Sequence, residues 1–311
     1  MALAIEYIVR TIAARTGLRP ESAPVRGACW FNAGDRRIRV AAGTHWVELV
    51  RSAPDPMLDH HAMLIESFRM QMAKFALDRV GRRLIRVEIP QVAISVESLV
   101  RALEALGRDS GLPPRTRAPS SQTLILDHEM VPPDELQVFV RTLAHEGWGI
   151  SEHVRENHWR LAYVAADREF RVDLGFDRAW ASFQVALRPE EIQLRELSRR
   201  HLARFLLRRN DVIYWAKLGI AGTDQVVLTL DVPIEELDLE RLRLAAKTLA
   251  RYAVATSTEV QVLSRLEVDP VLHRLLDGRL RTAGPPDASA RPSGATDQRV
   301  PLPDIEGRHR G

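Results

Sequence analysis

The chain has 311 residues, 44 Lys+Arg against 41 Asp+Glu, a formal net charge of +3 and 45% hydrophobic side chains. That length suggests roughly two domains of about 150 residues each. The near balance of charge removes the pI of 9.3 as an argument for nucleic acid. The single cysteine, Cys29, excludes an intrachain disulfide framework and a cysteine-rich zinc site.

Only Lys74, Lys217 and Lys247 are lysine among the 44 basic residues, a usage that reads as GC-rich coding bias rather than function. No run of about 18 apolar residues offers a membrane span. The opening MALAIEYIVRTIAART carries Glu6 and Arg10 inside its apolar stretch, so it is an amphipathic helix and not a signal peptide. A cytoplasmic protein is expected.

In chain order, strands are expected at 27–32, 36–42 and 44–51, then a helix at about 57–68. A strand at 70–78 and its partner at 83–89 follow, joined around Gly81. Pro90 ends the ladder because proline has no amide to donate. Ser95 is placed to accept from the first amides of a helix with Glu97 in its positive first turn. Val96, Leu99, Val100 and Leu103 give that helix one buried face.

Residues 107–131 read as a Pro/Ser/Arg linker with a short edge strand at Thr123–Leu126. A helix after Pro132-Pro133, closing at Gly147, carries Val140-Arg141-Thr142 as the opening helix carries Val9-Arg10-Thr11. Strands at 158–165, 168–175 and 179–187, a helix at 189–208 and a strand pair at 212–221 and 225–232 lead to Pro233. Asp238 is the cap of the next helix. Further helical turns are expected at 259–266 and 271–276. Residues 281–311, with five prolines, four glycines and scarcely any large apolar side chain, read as a disordered tail.

These two passages are copies. Residues 73–107 align without a gap on 216–250, at an offset of 143, with Ala73/Ala216, Lys74/Lys217, Pro90/Pro233, Glu97/Glu240, Leu99/Leu242, Ala102/Ala245 and Leu106/Leu249 identical. The unit reads α-β-β-β-α-β-β-α, twice. Loops between paired strands are too short for helical crossovers, so the class is α+β, antiparallel sheets packed on helices. The expected organisation is a first unit at 1–112, a linker at 113–131, a second unit at 132–278 and a tail at 279–311.

The run Leu207–Asn210, Val212–Gly222, Val226–Pro233 and Asp238–Ala253, with Glu146-Gly147-Trp148 opening the copy, resembles the YbjN-like domains. Those are similar in fold to type III secretion chaperones of the CesT kind (the TY-Chap group). The resemblance covers about 130 residues of the second copy and more faintly the first 110, where Thr16-Gly17-Leu18 lacks the aromatic. It implies a non-enzymatic protein that holds a peptide or partner protein, often through a dimer of such domains. Two units in one chain would supply that dimer internally; a homodimer is the other arrangement.

Catalytic signatures are missing: no phosphate-cradling glycine loop, no G-x-S-x-G elbow and no H-E-x-x-H helix. His145-Glu146 has no second histidine four residues on and reads as a polar helix end. Asp59-His60-His61 and Asp127-His128-Glu129 are the densest metal-capable sets, but adjacent residues point in different directions, so solvated residues are expected there, with no metal or cofactor. Cys29, beside Trp30 on a strand, reads as a buried, inert thiol.

Arg79, Arg82, Arg83 and Arg86 cluster on the first hairpin, and Arg195, Arg199, Arg200, Arg204, Arg208 and Arg209 run along helix 189–208. With Glu190, Glu191 and Glu196 on that helix, an ion-paired solvated face is expected. A nucleic-acid-associated regulator using Arg199, Arg200, Arg204 and Arg208 is the alternative. Of the six tryptophans, Trp180 and Trp215 stand among charged or small neighbours and are the candidates for contact with a peptide, since tryptophan offers large area and one polar handle. Val300-Pro301-Leu302-Pro303 is a candidate docking stretch in the tail.

Overall fold

The computed structural model describes residues 5–21, 24, 27–33, 36–53, 58–107, 138, 140–143, 148–155, 158–165, 168–176, 179–187, 196–222 and 224–265. It is α+β, with two six-stranded antiparallel sheets. The expected edge strand at 123–126, the helical turns at 271–276, His145-Glu146, Asp127-His128-Glu129 and the segment 279–311 lie outside the described residues.

Helix α1 (Ile5–Thr16) buries Ile5, Ile8, Val9 and Ile12 on one face, the period its apolar residues dictate. It ends where Gly17, at φ 71°, turns its amide back to Ala13 O. Strands β1 (Arg19–Pro20), β2 (Ala28–Ala33), β3 (Arg36–Ala42) and β4 (Trp46–Ser52) form a meander. Helix α2 (His60–Arg69) follows, and then the hairpin β5 (Ala73–Leu77) and β6 (Arg83–Pro90). The sheet runs β1-β2-β3-β4-β6-β5, so β6 adds to the meander and β5 becomes an edge. Helix α3 (Val96–Gly107) starts where Ser95 Oγ accepts from Ser98 N at 2.9 Å. It ends on the guanidinium groups of Arg51 and Arg36, which donate to Leu106 O and Gly107 O at its negative terminus.

The second sheet is built from β7 (Gly149–Arg155), β8 (His158–Ala165), β9 (Arg168–Phe176) and β10 (Trp180–Ala186), helix α4 (Glu196–Val212), and the hairpin β11 (Lys217–Ala221) and β12 (Gln225–Pro233). Its order, β7-β8-β9-β10-β12-β11, repeats that of the first. Helix α5 (Leu239–Arg265) closes the described chain, with Asp238 Oδ1 accepting from Arg241 N at its start.

Several expectations are corrected. Each meander has four strands before its middle helix rather than three, because Arg19–Pro20 and Gly149–Arg155 also pair. The strand expected from 212 begins at Lys217, since α4 continues to Val212. The turns at 259–266 are no separate element but the end of the continuous α5. Strands β6 and β12, whose in-and-out alternation suits a half-buried antiparallel partner, are instead buried on both faces. The reason lies in the packing. On one face of β6, Ile85, Val87 and Ile89 meet the core that includes Leu99, Ala102 and Leu106 of α3. The opposite face carries Arg86 and Glu88, which are covered by the other half of the molecule.

That covering is reciprocal. Helix α2 packs chiefly on β11 of the second sheet, and α4 chiefly on β5 of the first. Gly219 of β11 lies against α2 so closely that a Cβ there would meet Phe68 Cβ at 2.8 Å, Phe68 N at 3.0 Å and Leu64 O at 3.1 Å. A single continuous apolar cluster runs through both halves. No helix among the described residues is long and apolar enough to cross a membrane.

Candidate functional site

The seam between the halves holds a dense set of buried polar groups, and positions 143 apart do the same work on its two sides. Lys74 of β5 and Lys217 of β11 are almost wholly buried. Lys74 Nζ is 2.9 Å from Glu88 Oε2 on its own sheet and donates across the seam to Ile213 O (2.5 Å) and Ala216 O (3.0 Å). Lys217 Nζ is 2.7 Å from Asp231 Oδ2 and donates across the seam to Met70 O. Each ammonium thus binds the chain just past the other half's middle helix. Burial pulls the Lys74 pKa down from its ordinary value, with Glu88 opposing that shift.

The edge strands are satisfied by side chains rather than by a neighbouring strand. Asn210 of α4, fully buried, donates from Nδ2 to Phe75 O and Leu218 O, both at 3.0 Å, and accepts at Oδ1 from Leu218 N. Ser67 of α2 accepts at Oγ from Phe75 N. The amide therefore ties β5 to β11, which meets the requirement that buried backbone groups be paired.

The seam is not wholly symmetric, and its most buried asymmetric ion pair is at Arg86. Arg86 of β6 donates across it to both the carbonyl and the carboxylate of Asp211 on α4, and on its own sheet reaches Glu88 (3.1 Å) and Glu48 (3.4 Å). Burial opposes its charge, but Glu88, Glu48 and Asp211 outweigh burial and push its pKa up. Lys74 stands opposite Arg86 and Glu48 opposite Glu88, like charges that would repel alone. Because opposite signs lie on the diagonals, the four make a checkerboard. The counterpart positions in the second half are Thr229 for Arg86, Ser182 for Glu48 and Phe68 for Asp211. There Ser182 Oγ donates to Asp231 Oδ1 at 2.8 Å, and among the described residues Thr229 Oγ1 has no hydrogen-bond partner.

Above this ionic floor lies a shallow depression lined by Met72, Ile89, Pro90, Ala93, Trp215, Val232 and Pro233, with Glu236 and Arg241 among its polar members. Met72 and Trp215, again 143 apart, are the two non-glycine residues with positive φ among those described, at 60° and 65°. Each is the centre of a three-residue turn, closed by Ala73 N to Gln71 O (2.6 Å) and by Ala216 N to Tyr214 O (2.7 Å). For side chains of this size the left-handed region is strained, and such strain tends to mark functional sites. Tyr252 of α5 holds the second turn, its hydroxyl accepting from Tyr214 N; burial raises its pKa and keeps it protonated. Trp46 of the first half stacks on Tyr214 with ring centres 5.6 Å apart and lies 6.2 Å from Trp215.

The expected site residues fall in different places. Trp215 lines the depression and stays half-buried. Trp180, also half-buried, starts β10 opposite Pro233 and does not itself line the depression. Arg199 is held by Asp224 through two bonds of 3.0 and 3.1 Å. Arg200 is exposed, and Arg204 and Arg208 lie near His60, whose pKa burial and these arginines with Arg83 together lower. Arg86 leaves the basic cluster read from the sequence, since it belongs to the seam, while Arg82 pairs with Asp78. Asp59 caps α2 by accepting from Ala62 N, and His61 Nε2 lies 3.7 Å from Asp224. Among the described residues no group of three or more His, Cys, Asp or Glu is placed to hold a metal ion. Cys29 is buried, and burial pushes its thiol up.

Sequence reasoning missed Trp46, Glu48, Glu88, Asp211 and Asp231 as a group. The available signal was the pair Lys74 and Lys217, two of only three lysines, each aligned with an acid two residues before a proline. No family model matches the chain, and no curated protein matches it.

Proposed function

We propose that this chain is a non-enzymatic peptide- or protein-binding adaptor, built of two tandem YbjN-like, secretion-chaperone-like units that pair with each other inside one polypeptide. The shared strand order and the contacts repeated at an offset of 143 support the duplication. The observation that carries the binding role is the seam depression. It is lined mainly by apolar side chains with Glu88, Glu236 and Arg241 beside them, lies between the units, and is bounded by two large side chains held at positive φ. Both strained residues are half-buried against the core and line the depression, and strain kept at two equivalent positions fits a surface shaped for a ligand. The depression is small beside small-molecule pockets, which typically measure about 300–1,000 Å³. It suits an apolar side chain anchored from a polypeptide that runs over the seam. No cofactor enters this role.

Site-specific photo-crosslinking in the producing cell tests the reading. Val92 is 78% exposed beside Ala93 of the depression, and Val164, 68% exposed on β8, is the control. A crosslinker at 92 is expected to capture a discrete polypeptide, the control to capture none, and Trp215→Ala to abolish the adduct. Equal labelling from both positions, or an adduct indifferent to Trp215, would discard the proposal.

A further inference from the structure

We infer that the Arg86–Asp211 contact is a pairing selector, which makes a first unit accept a second unit and reject another first unit. The inference rests on the two-unit reading above but not on client binding. The Lys74 and Lys217 clamps are reciprocal, each reaching a carbonyl that either unit provides at the same place, Ile213 O or Met70 O. Those clamps alone would serve a first–first, a second–second or a first–second pair equally.

The asymmetric residues break that degeneracy. In a first–first pair, Arg86 would face Phe68 in place of Asp211 and keep only Glu48 and Glu88 of its own sheet, its seam-facing nitrogen turned to a ring. In a second–second pair, Asp211 would face Thr229, which offers no cation. A first–first pair deprives a buried guanidinium of the carbonyl and carboxylate it binds across the seam, and a second–second pair deprives Asp211 of its guanidinium, so both like pairs are penalised while the mixed pair is complete. A single buried polar contact that fixes which surfaces associate is the best-attested use of such groups. Glu48 belongs to the same device: with Glu88 it balances the charges of Lys74 and Arg86 on the first sheet.

The test uses a symmetrised chain, E48S/R86T/D211F. These changes give the first unit the Ser and Thr of the second, and the second unit the Phe of the first. Lys74–Glu88 then resembles Lys217–Asp231, so no buried charge is stranded. A protease site inserted within 113–131 is cut in the folded protein, both pieces are kept, and the mixture is unfolded in urea, refolded and read by native mass spectrometry. The natural sequence is expected to give only first-plus-second pairs, and the symmetrised one to give like pairs as well, approaching statistical proportions. Like pairs from the natural sequence in statistical proportions, or exclusive mixed pairing from the symmetrised one, overturns the inference.

A readout on the uncut chain covers poor refolding. The urea midpoint lost on Arg86→Thr is expected to be smaller when Asp211→Phe is already present, and strict additivity overturns the selector. A natural sequence that pairs without selectivity yet still gives the adduct from position 92 sinks this inference alone; one that pairs selectively but gives no adduct sinks only the adaptor reading.

Discussion

At the scale of single residues, the two buried lysines decide most. Lys217 satisfies both Asp231 and the Met70 carbonyl, so Lys217→Met strands a buried carboxylate and should cost about 3–5 kcal/mol. Replacing both partners, Lys217→Met with Asp231→Leu, should recover a large part of that loss, because a well-packed apolar pair avoids the desolvation of two ions; urea unfolding measures both. A second residue-scale effect concerns acid. Asp173 is partly buried, which raises its pKa, but His158 at 3.5 Å and Arg160 at 3.0 Å outweigh burial and hold it below the usual carboxylate range. A depressed carboxylate contributes stability that is complete above its unfolded value and is lost as pH falls through the folded one. The drop in urea midpoint between neutral pH and about pH 3 should therefore be smaller in Asp173→Asn than in the natural protein.

Among elements, the decisive contact is α2 on β11. Gly219 is required by proximity rather than by its own conformation: the atoms nearest a Cβ include Phe68 N and Leu64 O, backbone that no rotamer change can move. Gly219→Ala should cost about 1–3 kcal/mol by forcing α2 outward, and a lowered midpoint in thermal unfolding checks it. The same contact shows where sequence reading stops. Hairpins, helices and their Ser95 and Asp238 caps were legible because their signals are local: a proline that ends a ladder, a side-chain oxygen before an apolar stripe. The additional strands β1 and β7 were not. Arg19–Pro20 is too short to show a period of two, and Gly149–Arg155 carries register shifts that break its alternation. Nor was the burial of β6 on both faces. Arg86 and Glu88 alternate with Ile85, Val87 and Ile89 as a solvated face would, and only the arrival of α4 with Asp211 turns that face inward. Trp215 stands out in the sequence because its neighbours are small or charged, whereas Trp46 does not, because its ring contact is with Tyr214, more than 160 residues away.

For the whole molecule, the exchange of helices across the seam sets how it unfolds. If each unit carried its own middle helix on its own sheet, the two would be separable bodies with a modest interface, and two transitions would be the default. Here α2 leans on β11 and α4 on β5, Asn210 binds both edge strands, and the apolar cluster is continuous through both halves. Removing one unit would strip the other of a helix, expose β5 or β11 as an unpaired edge, and leave a buried lysine without its carbonyl partners. Neither half can therefore lose its structure while the other keeps its own, and unfolding should be a single cooperative step. Two probes report on different places. Fluorescence of a variant with phenylalanine at the other four tryptophans reports on Trp46 and Trp215 at the seam, while far-UV dichroism sums both sheets and all helices. Their urea curves should superimpose with one midpoint, and the denaturant slope should be that of the full buried surface rather than of half of it. A fluorescence change complete before the dichroism moves would mean that the seam opens while the sheets persist, and the halves would then be partners rather than one folding unit.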